Sequence, residues 1–251
     1  MKLNCIGIEV YTLYCSVNSS TQAQGSFQNL DFESANVAPS GPEPYGTFVP
    51  IGSALPGWTA YLGAQQLTQV GYNAPTLSLA NISLIGPNWN SSDTGIYGAG
   101  IIDGNYSVLV QAGGVPTNAG QGESASIAQN GTVPTTAESL QFKAFAENPF
   151  SVSFAGNVLG LVVLSSGVSA DGLPYNLYAA NISAWAGQTG ELEFTADNAV
   201  NDPYLVLDDI AFSPNPVPEP GTLALMLTAI GAYGVRRWRA KESRAFRNRA
   251  N

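Results

Sequence analysis

The sequence predicts an all-β domain, an antiparallel β-sandwich of jelly-roll type, over residues 25–213. Segments such as Leu140–Phe145 and Glu191–Thr195 alternate apolar and polar residues, and this period of two is typical of strands with one buried face. Clusters of Gly, Asn, Ser and Pro separate these segments, as turns do. Patterns typical of amphipathic helices do not recur over the same range. A range of this length suits one all-β domain with its own core.

Strands are expected wherever a short apolar or alternating run lies between turn residues. Gly156-Asn157, Asn130-Gly131 and Asp171-Gly172 predict turns, the first of them in a hairpin. The predicted strands are Ser26–Phe32, Trp58–Leu62, Gln66–Tyr72, Leu77–Leu84, Tyr106–Gln111, Ala125–Gln129, Leu140–Phe145, Ser151–Phe154, Leu159–Leu164, Tyr175–Ile182, Glu191–Thr195 and Tyr204–Phe212.

Charge is distributed very unevenly along the chain. Between Gly25 and Ser213 the only basic residue is Lys143, against fifteen Asp and Glu, so this range has a net charge of −14. Seven of the nine Lys and Arg follow it. Such an acidic surface repels phosphate backbones, which excludes nucleic acid as a partner. It suits an exported soluble domain and leaves carboxylates available for divalent cations.

The first 24 residues resemble a secretory signal. Lys2 begins a mostly apolar run, and Thr21–Gln24 resembles a small-residue cleavage site. Glu9 within the apolar run opposes membrane insertion. Both cysteines, Cys5 and Cys15, lie in this segment. We therefore expect a mature domain that folds without disulfides.

A Pro-Glu-Pro turn opens the C-terminal tail. Pro218 and Pro220 lack backbone donors and fix φ, so neither a helix nor a strand runs across them. Glu219 is then the only charge in a stiff linker, residues 214–220. We expect this turn to lie exposed at the edge of a membrane.

An apolar run and a basic cluster follow the turn. Residues 221–235 are uncharged and predict a membrane-inserted helix of about 22 Å, short against a hydrocarbon core of about 30 Å. A span this short suits a temporary anchor better than a permanent one. The basic residues mark 236–251 as a cytoplasmic tail, which places the preceding domain outside the membrane. They include Arg236, Arg237 and Arg239.

The order of Pro-Glu-Pro turn, apolar run and arginines resembles the bacterial sorting signal called PEP-CTERM. The resemblance implies a partner, the membrane transpeptidase exosortase, which reads such tails. It also implies export, a transient stay in the inner membrane, and delivery to the cell surface or extracellular matrix. The chain continues for twelve residues after Arg239, whereas tails of this family usually stop sooner. An ordinary single-pass anchor is the alternative.

Two segments of the predicted sandwich resemble galactose-binding-like domains, which include several carbohydrate-binding modules. Asn29–Ser34, followed by Leu55–Trp58, is similar to their opening. Tyr204–Ser213 is similar to their last core strand. The resemblance implies the sandwich fold and an association with carbohydrate.

The same resemblance implies a structural calcium ion. In these modules a Glu of the first strand and an Asp of the last strand often share calcium, and the matching residues are Glu33 and Asp209, with Asp208 and Asp31 as neighbours. Calcium takes six to eight hard oxygen ligands, which carboxylates and carbonyls supply. The alternative is that Glu33 and Asp209 are solvated residues at strand ends. Of the adjacent pair, Asp208 is expected to face outward. No other cofactor is expected.

One loop carries the best candidate for sugar contact. Trp89 lies between Asn88 and Asn90 in a polar loop, so an aromatic face for stacking is flanked by amides that could bond hydroxyls. Most aromatic residues of a sandwich instead fill its core.

Enzyme mechanisms find little support. The chain has no histidine, which removes Ser-His and Cys-His catalysis, and no phosphate-binding loop is present. We therefore expect no catalytic residues and a non-enzymatic surface protein that associates with extracellular polysaccharide. Two alternatives stay open: a carbohydrate-active enzyme with an Asp/Glu pair, and a purely structural coat protein.

Overall fold

A computed structural model describes residues 25–38, 47–76, 79–89, 100–115, 118–197 and 204–217. Strands dominate these ranges, together with one short helix, α1 (Ile51–Ala54), and one 3₁₀ turn (Ser183–Trp185). The strands are β1 (Thr47–Pro50), β2 (Thr59–Leu62), β3 (Gln65–Gln66), β4 (Gln69–Tyr72), β5 (Asn81–Ile85), β6 (Ser107–Gln111), β7 (Gly113–Val115), β8 (Asn118–Glu123), β9 (Ala125–Thr132), β10 (Ser139–Ala146), β11 (Phe150–Phe154), β12 (Asn157–Val158), β13 (Leu161–Val168), β14 (Pro174–Asn181), β15 (Thr189–Ala196) and β16 (Tyr204–Ser213).

The described strands form two main sheets. One has eight strands in the order β1-β4-β5-β6-β16-β10-β14-β13, and the other has six in the order β12-β11-β15-β9-β2-β3. A small hairpin, β7 with β8, is added to them. Within the described strands all pairings are antiparallel except that of β4 with β5. This confirms the predicted all-β sandwich.

The main core fills the space between the sheets. Alternate residues of the central strands, such as Leu205 and Leu207 of β16, are fully buried in it. Phe194 packs against Trp58 and Phe142, with ring centroids 6.3 and 5.1 Å apart. Burying rings of this size supplies much of the driving force for folding. Both sheets and their core lie within residues 25–217, so this fragment contains the complete described sandwich.

A second, smaller apolar cluster covers the outer face of the eight-stranded sheet. Tyr204 and Val206 of β16 alternate with the core residues of that strand and so belong to the opposite face. Leu109 of β6 and Leu173 join them there. The eight-stranded sheet is therefore buried on both faces along β6 and β16. The outer cluster includes Ile102, next to Asp103 in the loop before β6.

Most predicted strands exist with shifted ends, but the first one is wrong. No strand forms over residues 26–32: residues 27–29 are irregular, and residues 30–34 form a turn, the first turn of the sandwich. Asn29 and Phe32 have φ values of 50° and 58°, which a regular strand does not adopt. The turn is held by the Trp58 indole, which donates to the Asn29 carbonyl at 2.9 Å. Tertiary packing of buried Leu30 and Phe32 overrides the local strand pattern.

The turn predictions have mixed outcomes. Asp171-Gly172 lies in a turn, and Ala155 with Gly156 forms the β11–β12 hairpin turn at positive φ. The turn predicted at Asn130-Gly131 is wrong, because both residues lie within β9 and pair with β15. A Cβ on Gly131 would lie 2.7 Å from the Phe27 ring, so the glycine serves close packing.

Both ends of the chain lie outside the described residues. These comprise the signal-like segment 1–24, the Pro218–Pro220 turn, the predicted helix 221–235 and the basic tail 236–251. Within the described ranges no helix is long and apolar enough to span a bilayer.

Candidate functional site

A cavity of about 220 Å³ opens where the first turn meets the last strand. The four carboxylates predicted from the sequence come together there, and a fifth, Asp103, joins them from the loop before β6. The cavity is lined by Asp31, Glu33, Asp103, Gly104, Asp208 and Asp209. The segments are also joined directly, since the Ile210 amide donates to the Leu30 carbonyl at 2.9 Å.

Glu33 fastens the first turn to the loop before β6. Its carboxylate accepts bonds from the Asn105 amide at 2.7 Å, the Tyr106 amide at 3.0 Å and the Asn105 side chain at 2.9 Å. The neighbouring Gly104 has φ 59°, and a Cβ there would lie 2.3 Å from Glu33 Oε1. Glycine at this position thus allows both the backbone conformation and the close approach. Asp31 is exposed, and its carboxylate accepts from the Glu33 amide at 3.3 Å.

A bulge in β16 determines how the two adjacent aspartates point. Gln141 pairs with Ala211 and Lys143 with Asp208, so β16 has one extra residue between these pairs. Asp209 lies at this bulge with φ 48°. The irregularity keeps both carboxylates at the same cavity, whereas a regular strand would alternate them between faces.

Asp208 is buried, which corrects the expectation that it faces outward. It is 1% exposed. Its carboxylate accepts from the Ser107 hydroxyl at 2.7 Å, the Asp103 amide at 3.0 Å and the Asp209 amide at 2.7 Å. These bonds satisfy a buried acid within the protein and order the loop before β6. Asp209 is the half-exposed member of the pair.

Lys143 provides the positive charge of the cluster. Its ammonium pairs with Asp103 and, at 3.1 Å, with Asp209, and it lies 5.7 Å from the centroid of the Tyr175 ring. Lys143 reaches these groups from β10, beside Asp208 in the pairing of β10 with β16. The sequence analysis assigned neither Lys143 nor Asp103 to the site. The isolation of one lysine among fifteen acids was the signal that could have found it.

Burial and charge pairing in the cluster shift the pKa values of three of its ionisable groups. Burial raises the pKa of Asp208 to about 7, although its three hydrogen bonds act in the opposite direction. The hydrogen bond from Lys143 lowers the pKa of Asp103. Burial alone would lower the pKa of Lys143, but the bonds to Asp103 and Asp209 outweigh it and raise that pKa. The cluster contains five carboxyl groups and one ammonium, so negative charge is in excess there.

Carboxylate oxygens are the ligands that calcium prefers, but in this structure most of them are already bonded to other groups of the protein. Glu33 and Asp208 bond to backbone amides, and Asp103 and Asp209 bond to Lys143. Over the described ranges, no group of three or more Asp, Glu, Cys or His side chains is arranged to hold a metal ion. Calcium binding would require Asp103 and Asp209 to turn away from Lys143, and it stays a prediction.

The predicted sugar-contact loop packs against the outer apolar cluster through Trp89. Trp89 is half-buried against the outer apolar cluster rather than fully exposed. Asn88 is exposed, with φ 70°, in the turn closed by the Trp89 amide and the Gly86 carbonyl at 3.1 Å. Asn90 lies outside the described residues. Sugar contact at this loop stays a prediction.

Comparisons with known proteins give remote likenesses. No family model and no curated protein matches the chain. Among solved structures, the carbohydrate-binding module TmCBM61 in complex with β-1,4-galactotriose is 12% identical, with a TM-score of 0.37 over 76% of this chain and 99% of that one. The enzymatically active domain of bacteriophage CBA120 tailspike protein 4 is 13% identical, with a TM-score of 0.30 over 68% of this chain and 22% of that one. Likenesses of this degree carry no argument about ligand or activity.

Proposed function

We propose that this chain is an exported, non-catalytic surface protein that exosortase sorts by its tail and that associates with extracellular polysaccharide. The order of the tail, with Pro218-Glu219-Pro220 before an apolar run and arginines, supports the sorting step. The net charge of −14 over residues 25–213 supports a sandwich domain that is soluble outside the membrane.

The observation that carries the non-catalytic assignment is the way the clustered carboxylates are used. Glu33 and Asp208 each accept three hydrogen bonds from the protein's own backbone and side chains. Lys143 pairs with both Asp103 and Asp209. A glycosidase needs one carboxyl free to donate a proton and a second free to attack or to activate water. The cluster is better suited to joining the first turn, the loop before β6 and β16.

Within this proposal, calcium binds at the cavity and reinforces the same connection. The support is electrostatic, because the cavity has more carboxylates than positive charges and burial raises the pKa of Asp208. A divalent ion would offset that excess and favour the ionised form of these acids. It would also let an acidic domain approach an acidic polysaccharide. Neutral polysaccharide requires no such bridge.

The test of polysaccharide association is retention of residues 25–217 on neutral and acidic glycan matrices, with calcium or with chelator. We expect retention on a neutral matrix that Trp89→Ala weakens, because the exposed part of the ring stacks on sugar. The half-buried ring also packs on the outer cluster, so the variant should melt a few degrees lower, and retention is measured well below its melting temperature.

Trp185→Ala is the matched control, since Trp185 is also half-buried but packs on the main core. Equal retention of the wild type and Trp89→Ala would contradict the stacking role. No retention on any matrix would favour the structural coat protein. Release of reducing sugar by the wild type, lost in Asp208→Asn, would favour the enzyme instead.

A further inference from the structure

The edge of the eight-stranded sheet at β13 differs from the other sheet edges. β1, at the opposite edge, has four residues and ends at Pro50, and the six-stranded sheet ends in the two-residue strands β12 and β3. Short strands, prolines and charges are features that keep an edge from pairing with another chain. β13 has eight residues without a charge or a proline. Its one protective feature is a bulge between Val163 and Ser165.

Apolar side chains remain exposed along this edge. Of the four large hydrophobic side chains that are exposed in the described part of the chain, two, Val163 and Val168, lie on β13, and the others lie on β1 and β12. Val163 is 52% and Val168 67% exposed. Among the described strands, β13 pairs with β14 alone. The strand thus presents backbone groups and apolar side chains to a partner together.

The charge pattern indicates which partner can approach. Residues 148–190, which include β13 and β14, contain one charged residue, Asp171. The domain around them has a net charge of −14, so two copies repel each other over most of their surfaces. This repulsion is low at the β13 edge. The segment that contains β1 at the opposite edge, residues 44–92, has no charged residue either, so the length of β13 and its exposed valines distinguish this edge, not charge alone. An acidic or basic partner would gain nothing there from charge.

We propose that a second copy of this chain binds at β13, the two β13 strands pairing antiparallel across a two-fold axis. Pairing with another folded domain requires a second long, uncharged, exposed edge, and among the described strands β13 itself meets that requirement. Self-pairing makes the interface isologous, so it closes as a dimer. One strand pair buries less than the roughly 1,200 Å² of a stable interface, so the dimer is weak and concentration-dependent. This inference does not depend on the proposed function.

The test is sedimentation equilibrium of residues 25–217 at concentrations up to about 1 mM, near the weak limit of specific association. We expect a reversible monomer–dimer equilibrium. Val163→Lys and Val163→Glu should each weaken it about tenfold or more, a change of about 1.4 kcal/mol, because either charge is desolvated at the strand pair. If the dimer were held by charge alone, one of these two variants would strengthen it and the other would weaken it. Melting curves confirm that each variant is folded.

Phe48→Lys on the opposite edge is the matched control, since Phe48 is 63% exposed on β1, and it should leave the dimer unchanged. Residues 25–217 contain no cysteine, so Ser166→Cys should form disulfide-linked dimers on oxidation and Gln66→Cys on β3 should not. A monomer at every concentration overturns the proposal. So does a dimer that Phe48→Lys weakens as much as the Val163 variants, or equal cross-linking at both cysteine positions.

Discussion

At the scale of single residues, each member of the carboxylate cluster has a different structural role. Asp208 is buried and orders the loop before β6, while Asp209 is half-exposed and pairs with Lys143. Glu33 fastens the first turn to the same loop. Removing any one group leaves its partners unpaired. The free-energy cost of an unpaired buried donor or charge exceeds the net stabilisation that the original bond provided. The cluster is therefore sensitive to pH and to single substitutions.

Asp208 should make stability fall as pH rises from about 4 to about 7. Its pKa is raised from 3.8 to about 7 in the folded protein, so in this window the folded state keeps a proton that the unfolded state has lost. The unfolded state then binds fewer protons, and the free energy of unfolding decreases with pH. Below pH about 4 the contribution is fully present, and above about 7 it is lost. Urea unfolding across this range measures the slope.

Asp208→Asn should flatten this slope, and it should lower stability at every pH because an amide cannot accept all three bonds. Asp171→Asn, in an exposed turn, is the control and should preserve the slope. If the wild type and Asp208→Asn give parallel stability curves between pH about 4 and 7, the protonation of Asp208 is not linked to folding.

Lys143→Met should destabilise the domain and increase its response to calcium. The substitution keeps the apolar stem and removes the ammonium that pairs with Asp103 and Asp209. Because both partners are about half-exposed, we expect a loss on the order of 1 kcal/mol, or about 2–4 °C in melting temperature for a domain of this size. Differential scanning calorimetry with calcium and with chelator measures both effects.

Calcium at millimolar concentration should raise the melting temperature of the wild type, because extracellular modules bind it with Kd values of roughly 10⁻⁴–10⁻³ M. The rise should be larger in Lys143→Met, where the carboxylates lack their ammonium, and mostly absent in Asp209→Asn. Identical curves in calcium and chelator for the wild type and for Lys143→Met would show that the cluster binds no calcium.

At the scale of elements, the loop before β6 is the part of the fold that the carboxylates organise. It is held from the first turn by Glu33, from β16 by Asp208 and from β10 by Lys143. Its residues make few regular strand bonds of their own. The loop should therefore be the first part to open when the cluster is weakened.

Gly104→Ala tests the contact between this loop and the first turn. The new Cβ would lie 2.3 Å from Glu33 Oε1 and would also occupy a left-handed conformation with φ 59°. We expect a loss of about 1–3 kcal/mol from strain and from the displaced carboxylate. Gly172→Ala is the control, because Gly172 has φ 86° with nothing within 4 Å of an added Cβ. Chemical denaturation should give it the smaller loss.

The double variant Glu33→Ala with Gly104→Ala identifies the source of that loss. Removing the Glu33 carboxylate removes the clash, so Gly104→Ala should cost less in this background than in the wild type. Equal costs in both backgrounds, or equal losses for Gly104→Ala and Gly172→Ala, would mean that backbone strain alone is responsible.

At the scale of the whole molecule, acidic sandwich and basic tail are segregated along the chain. Seven of nine Lys and Arg follow Ser213, and one lies in the sandwich. This separation suits a chain whose basic end stays at the cytoplasmic side while the acidic domain is exported. Under the proposed function, the two parts are finally separated by cleavage.

Mass spectrometry of the mature protein from its native cells should place its C-terminus near Pro218–Gly221. Under the proposed function, the short apolar run anchors the chain only temporarily while exosortase acts. Glu219→Ala should block this processing. It should leave the melting temperature unchanged, because Glu219 follows the last strand, which ends at Ser213. Mature protein that still ends at Asn251 would reduce the tail to a plain anchor.

The sequence by itself determined the features that depend on local pattern or on counts. Period-two alternation predicted most strands and hence the all-β class, because a strand exposes alternate side chains whatever its partners are. The uneven charge was likewise readable directly. The structure places Glu33, Asp209, Asp31 and Asp208 around one cavity. The calcium ion that their resemblance to known modules implies stays a prediction.

Tertiary structure alone decided which groups complete the site and how they point. Asp103 and Asp208 are 105 residues apart, and no local pattern encodes a bond over that separation. The bulge that keeps Asp209 at the same cavity as Asp208 exists only in the pairing of β16 with β10. Residues 26–32 did not form a strand, and Gly131 became part of one, because packing against Trp58 and Phe27 outweighed local preference.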